Sequence, residues 1–211
     1  MTTDSLPLFP LALVAYPGET IALHIFEERY KDLVRDCLER DSPFGIVLYD
    51  DGRMSSIGCL CTIRAVVRRY DDGRLDIEVV ATERFRITSV TDDGSYLRCG
   101  AENIPVTDVA ADAHQVQRLI TQHMKLLELA GRTVRPGFYD QEGSVSYLIA
   151  RNAGLELPQK QMILETDTEA DRVRILIEHM ARFIPHVEQV EEIRKKVQSN
   201  GHFQDFPPES S

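Results

Sequence analysis

The sequence predicts an α+β protein: a small, partly closed antiparallel β-barrel with one inserted helix, followed by an α-helical bundle that ends in a long kinked helix. Three observations predict this. Strand-like apolar runs and period-two alternation dominate up to about Ile104, interrupted once by a helical stripe. At Ile104-Pro105 the composition shifts from β-branched to helix-forming residues. The last long helical pattern contains Pro185, which has no N–H to donate and crowds the preceding turn.

Leu8, Phe9, Leu11, Leu13 and Val14 form a largely apolar run, as expected of a strand buried in a barrel wall. Tyr16-Pro17-Gly18-Glu19 follows as a type II turn, in which Pro17 presets φ and Gly18 supplies the positive φ. Thr20 to Phe26 resumes a strand, with Ile21, Leu23 and Ile25 on one face and Thr20, Ala22, His24 and Phe26 on the other. Then the period changes. Tyr30, Leu33, Val34, Cys37 and Leu38 make one helical stripe, and Glu27 and Glu28 sit in its first turn, where the helix dipole favours carboxylates. Phe44 to Tyr49 is a strand closed by Asp50-Asp51-Gly52. A long strand from Ile57 to Tyr70 turns at Asp71-Asp72-Gly73-Arg74 into another from Leu75 to Val90. That second strand must bend or bulge near Ala81-Thr82-Glu83 to follow barrel curvature. Asp92-Asp93-Gly94 is a turn, and Tyr96 to Ile104 the last strand.

Four helices are expected after that. The first runs from Ala110 to Ala130 on a stripe of Val116, Leu119, Ile120, Met124 and Leu127, and Gly131 ends it. Ser144 caps a helix from Val145 to Ala153, and Pro158 opens a short one through Leu164. Thr166 and Glu169 are spaced as a capping box for the last, Thr168 to about Gln198, whose far end carries Val187, Val190, Ile193 and Val197. The expected division is a β domain over 1–106, a helical domain over 107–199 and a disordered tail over 200–211. Phe203, Phe206 and Pro207-Pro208 in that tail could form a short docking peptide.

The opening LPLFPL, the Pro-Gly turn, LHIFEERY and the short helix together resemble the Lon substrate-binding domain, the N-terminal domain of the ATP-dependent protease Lon. Further matches follow in order: Pro43-Phe44-Gly45, Ile57-Gly58, Asp72-Gly73-Arg74, Glu83-Arg84-Phe85-Arg86-Ile87, Ser146-Tyr147-Leu148-Ile149-Ala150 and Lys160 to Glu165. The resemblance covers roughly Leu6 to Arg182. It implies a PUA-like barrel before the bundle, and a role in engaging unfolded or tagged polypeptides. Glu27 and Arg29 match the family's Phe-Glu-x-Arg-Tyr element, whose expected role is to fix the helix start.

Composition narrows the chemistry. The chain has 211 residues and a formal charge of −10, so it repels phosphate backbones and disfavours nucleic acid. No stretch is apolar and long enough to span a bilayer, and no basic segment precedes the first apolar residues; a cytoplasmic protein is expected. The four cysteines lack zinc-ribbon spacing and the six histidines are scattered, so no metal or other cofactor is expected. No glycine is followed by lysine, which excludes a phosphate-cradling Walker loop, and no G-x-S-x-G or H-E-x-x-H occurs. The expectation is therefore a non-enzymatic binder.

Polypeptide binding needs exposed apolar surface beside charge, through strand-edge pairing or apolar anchors in a groove. The candidates are Phe9, Tyr16, Pro17, His24 and Phe26, with Arg84 and Arg86 as partners for acidic groups. Each has a plainer reading: Phe9 and Phe26 as core, Arg84 and Arg86 as a solvated strand face. Other readings are a PUA-like RNA-binding module and an adaptor that self-associates or meets a protease through the last helix.

Overall fold

A computed structural model describes residues 2–92, 94–105, 107, 109–140 and 143–200. The expected turn at Asp93, part of the expected domain boundary (106 and 108) and the tail past Asn200, with its docking-peptide residues, lie outside the described residues. Six strands come first: β1 (Thr2–Leu11), β2 (Thr20–Ile25), β3 (Phe44–Asp50), β4 (Arg53–Arg69), β5 (Leu75–Thr91) and β6 (Arg98–Asn103). Helix α1 (Glu28–Arg40) is inserted between β2 and β3. Four helices follow: α2 (Ala113–Leu129), α3 (Val145–Ala150), α4 (Leu157–Glu165) and α5 (Glu169–Asn200).

The strands pair in the order β2-β5-β4-β3-β1-β6, and β5 also pairs with β6. The pairings β1–β3–β4–β5–β6–β1 thus close into a ring, with β2 outside it against the first half of β5. One correction concerns direction. β1 and β3 run parallel, from Leu8↔Gly45 to Leu11↔Leu48, so the sheet is mixed and not wholly antiparallel. The chain leaves β1, builds β2 and α1, and only then returns, and such a crossover is what a parallel pair requires.

Along one edge β5 serves two neighbours, Leu75 to Val80 facing β2 and Phe85 to Thr91 facing β6, while its other edge pairs with β4. The change-over is a bulge at the expected place. Cys59 opposes Arg84 and Cys61 opposes Ala81, so Thr82 and Glu83 together oppose Leu60. All five strands of the ring contribute to a small cluster around the fully buried Phe85. A Cβ on Gly45 would sit 2.5 Å from the Phe85 ring, and one on Gly58 2.3 Å from the Ile46 carbonyl oxygen, so β3 and β4 approach this closely only as glycines. The opposite face is covered by α1, whose Tyr30, Leu33, Val34 and Cys37 join Phe9, Phe44, Ile46, Cys59 and Cys61. Leu38, expected on that stripe, is exposed at its edge. All four cysteines are buried free thiols.

In the helical part, α2 starts at an Asp112 cap whose carboxylate accepts from the N–H groups of His114 and Gln115. Its buried stripe is Leu119, His123, Leu126 and Leu127, while Met124 is exposed. Of the expected stripe, Leu119 and Leu127 are buried and Val116 and Ile120 pack half-buried against the helical core, while His123 and Leu126 join the buried face from outside it. The cap of α5 is Thr168, which accepts the Asp171 N–H at 3.1 Å. Thr166 instead ends α4 by bonding the Met162 carbonyl at 2.7 Å, which leaves Glu169 for the use described below. The helical core draws in Val14, Tyr16, Leu48 and Ile57 from the β part, so the two parts share one apolar seam.

Candidate functional site

The seam is fixed by two buried arginines. Beside the β5 bulge, Arg84 reaches toward the helices. There its Nη1 donates to the Leu164 and Thr166 carbonyls at 2.9 and 3.2 Å, and its Nη2 to Asp167 Oδ1 at 3.3 Å. From α5, Arg172 donates to the Thr166 and Asp167 carbonyls at 2.8 and 3.0 Å, and to Ser146 Oγ at 2.9 Å. Its guanidinium also lies 4.3 Å over the Tyr147 ring. The two guanidiniums clamp the α4–α5 turn and satisfy carbonyls that a helix end leaves without partners. Glu169 holds the clamp from below: its carboxylate accepts from Ser144, from both Ser146 groups and from Arg172. Burial would raise this carboxyl, but those hydrogen bonds outweigh it and leave it below the ordinary range. Tyr16 is the second tie. It stacks on Tyr147 with ring centroids 5.3 Å apart and donates its O–H to the Lys160 carbonyl at 3.0 Å.

Beside this clamp an open groove of about 710 Å³ lies between the barrel and the helices, within the range of ligand sites. Pro17 and Gly18 form one lip, and the Thr82–Glu83 bulge lies beside them. Ile104, Val109, Val116 and Val145 supply apolar wall, with Val109 49% exposed, while Asp167, Glu169 and Arg172 bring charge. The arrangement suits binding: apolar surface next to fixed donors and acceptors.

A second surface lies at the far end of β2. His24 Nδ1 sits 2.6 Å from Asp76 Oδ1, and Tyr70 donates to the same carboxylate at 2.8 Å. The hydrogen bonds from His24 and Tyr70 hold the Asp76 carboxyl below its usual value. Phe26, 60% exposed, stacks on His24 at 6.1 Å.

The sequence candidates therefore separate. Phe9 is buried against Tyr30 and Phe44, at centroid distances of 4.0 and 6.1 Å, and Tyr16 is buried in the seam; neither offers its ring to a ligand here. Arg84 is committed to carbonyls: the register runs unbroken from Arg84 to Arg86, so the two share a face, but the α4–α5 turn covers Arg84. Arg86 stays in solvent. Pro17 borders the groove, and His24 and Phe26 share the second surface. Sequence reading missed the cluster of Ser144, Ser146, Glu169 and Arg172, whose members are up to 28 positions apart in the chain. Its one local signal is Glu169 and Arg172 at i, i+3. Glu27 does meet Arg29, with Nε donating at 2.9 Å, at the start of α1.

Residues 5–182 match the family described as the ATP-dependent protease La (LON) substrate-binding domain. The chain belongs to the Lon substrate-binding domain family. It is 22% identical over 194 residues to Lon protease 2 of Myxococcus xanthus, and 22% over 208 residues to the Lon protease of Escherichia coli (strain K12). It covers 23% and 26% of those proteins, about a quarter of their length. Among solved structures, the Lon N-terminal domain protein from Xanthomonas campestris is similar at a TM-score of 0.67 and 30% identity, over 83% of this chain and 98% of that one. The N-terminal domain of the Mycobacterium avium complex Lon protease shares the fold at a TM-score of 0.61 and 18% identity, over 84% of this chain and 98% of that one. The Lon-domain match spans the ring, the clamp and the groove, and stops at Arg182. No helix among the described residues is long and apolar enough to cross a membrane.

Proposed function

We propose that this protein recognises unfolded or tagged polypeptide, without enzymatic activity of its own, in the quality control of cytoplasmic proteins. The observation that carries this is the groove of about 710 Å³ along the barrel–helix seam of a Lon substrate-binding domain, apolar on its wall and charged beside it. Such a surface accepts apolar side chains of a chain lacking its own core, and its fixed polar groups meet the polar main chain. The sequence carries neither a Walker loop nor a nucleophile elbow, which supports binding without turnover. The acidic balance, with a pI near 5.1, weighs against the RNA reading.

Fluorescence anisotropy tests this, using a labelled, permanently unfolded polypeptide, its folded counterpart and a single-stranded RNA at physiological salt. Saturable binding to the unfolded chain alone is expected. Val109→Asp places a charge on the exposed groove wall and should weaken that binding at least about fivefold, with an unchanged far-UV spectrum. Equal affinity for folded and unfolded forms, or tighter binding to RNA, would overturn the reading.

A further inference from the structure

We propose that the outer edge of β2 is a strand-addition site for an extended segment of an unfolded polypeptide, anchored past the end of the strand by Phe26. This rests on the polypeptide-binding reading and deepens it. Among the described residues β2 pairs with β5 alone. Ala81 donates its N–H to the Glu19 carbonyl at 2.9 Å, which sets the phase of the ladder. Ile21, Leu23 and Ile25 then exchange hydrogen bonds with Val79, Ile77 and Leu75, and the N–H and C=O groups of Thr20, Ala22 and His24 point away from the sheet. Among the described residues, no turn, loop or side-chain hydrogen bond reaches those outward groups.

A second free edge among the described residues makes the contrast. β4 from Thr62 to Arg69 has no neighbour opposite β5, yet that edge is blunted. Its register shifts twice, between Ile63 and Ala65 and between Val66 and Arg68, and it carries the exposed Arg64, Arg68 and Arg69. Bulges and charges are how sheets refuse an added strand. β2 has neither: its register runs unbroken from Thr20 to Ile25, and no Lys, Arg, Asp or Glu stands between Glu19 and Glu27.

An open main-chain edge recognises another free main chain, and a folded protein has already paired its own. The occupant is therefore an extended segment of about six residues spanning roughly 20 Å. Its side chains would alternate beside the half-buried Ile21 and Leu23, which favours apolar or β-branched residues there. Phe26 would take an apolar group at the end. Pro17 and Gly18, which line the groove, immediately precede β2 in the chain.

The test uses the full chain with a fluorescein-labelled peptide of alternating valine and serine, and the same peptide N-methylated at consecutive central residues. Ala22→Pro removes an outward N–H that β5 does not use, a position where edge strands tolerate proline. Phe26→Ser removes the anchor. Both variants, and N-methylation, should weaken binding at least about tenfold. Wild-type affinity in Ala22→Pro together with undiminished binding of the methylated peptide would overturn strand addition and leave polypeptide recognition standing. No binding of any unfolded chain would sink both. A wild-type dimer that Ala22→Pro dissociates, seen by light scattering, would assign the edge to a second copy and overturn the proposal. Should Ala22→Pro fail to fold, the methylated peptide on the wild type decides alone.

Discussion

His123 shows how one residue can couple a helix face to pH. It is fully buried on α2, with Nδ1 2.8 Å from the Tyr139 hydroxyl and Phe138 stacked beside it, and its buried Nε2 has no partner among the described residues. Burial pushes its pKa down from 6.5 to about 4. The folded state thus holds the imidazole neutral, while the unfolded chain takes up a proton below about 6.5. Stability from this group is complete above pH 6.5 and is lost as pH falls toward 4, by up to about 3 kcal/mol. His123→Leu removes the titration. Denaturant midpoints between pH 4 and 7 should fall less steeply in the variant than in the wild type; parallel slopes would show that His123 does not titrate this way. His123 lay outside the expected stripe because a histidine carries no apolar signal, and the aromatic pair Phe138 and Tyr139 packed against it is set by the fold.

At the scale of elements, the α4–α5 turn decides what the arginines of β5 do, since it covers Arg84 and leaves Arg86 in solvent. Arg84 is placed to cap α4 from another element, so Arg84→Met strands the Leu164 carbonyl and should destabilise by about 1–3 kcal/mol. Arg86→Met, in solvent, should stay within about 0.5 kcal/mol. Thermal melts followed by circular dichroism check both, and equal melting temperatures for the two variants would refute the clamp. Much of this scale was readable in the residues. Gly18 and Gly73 take the positive φ that their turns require, at +79° and +83°, and the bulge lies where strand length demanded one. The covering of Arg84 was not readable, because its partners lie some 80 positions away. The parallel β1–β3 pair was hidden for the same reason: local pattern fixes that a strand exists, not which neighbour it chooses.

For the whole molecule, the longest element among the described residues is buried in its first half and exposed in its second. α5 has 32 residues, and past Pro185 it exposes Val190, Ile193 and Val197, up to 67% in the last case. This stretch lies beyond the Lon-domain match, which ends at Arg182. Spaced at i, i+3 and i+7, the three make a seam suited to a second helix. If α5 mediates self-association, Ile193→Asp should convert the assembly to monomer in light scattering at micromolar concentration. A monomeric wild type would remove that role. Of the candidate residues, His24 and Phe26 are exposed and Pro17 half-buried, positions set by local turn chemistry and strand parity, while Phe9 and Tyr16 are buried by packing against α1 and the helical part.

The closed ring also sets a timetable for synthesis. β1 pairs with β3 and β6, and β6 begins at Arg98. A ribosome adding about 5–20 residues per second leaves the apolar opening segment without its second neighbour for several seconds or more. Tyr16 waits longer, since its acceptor is the carbonyl of Lys160. For that interval the nascent chain presents unpaired apolar strand, the same kind of feature that we propose its finished form recognises in others.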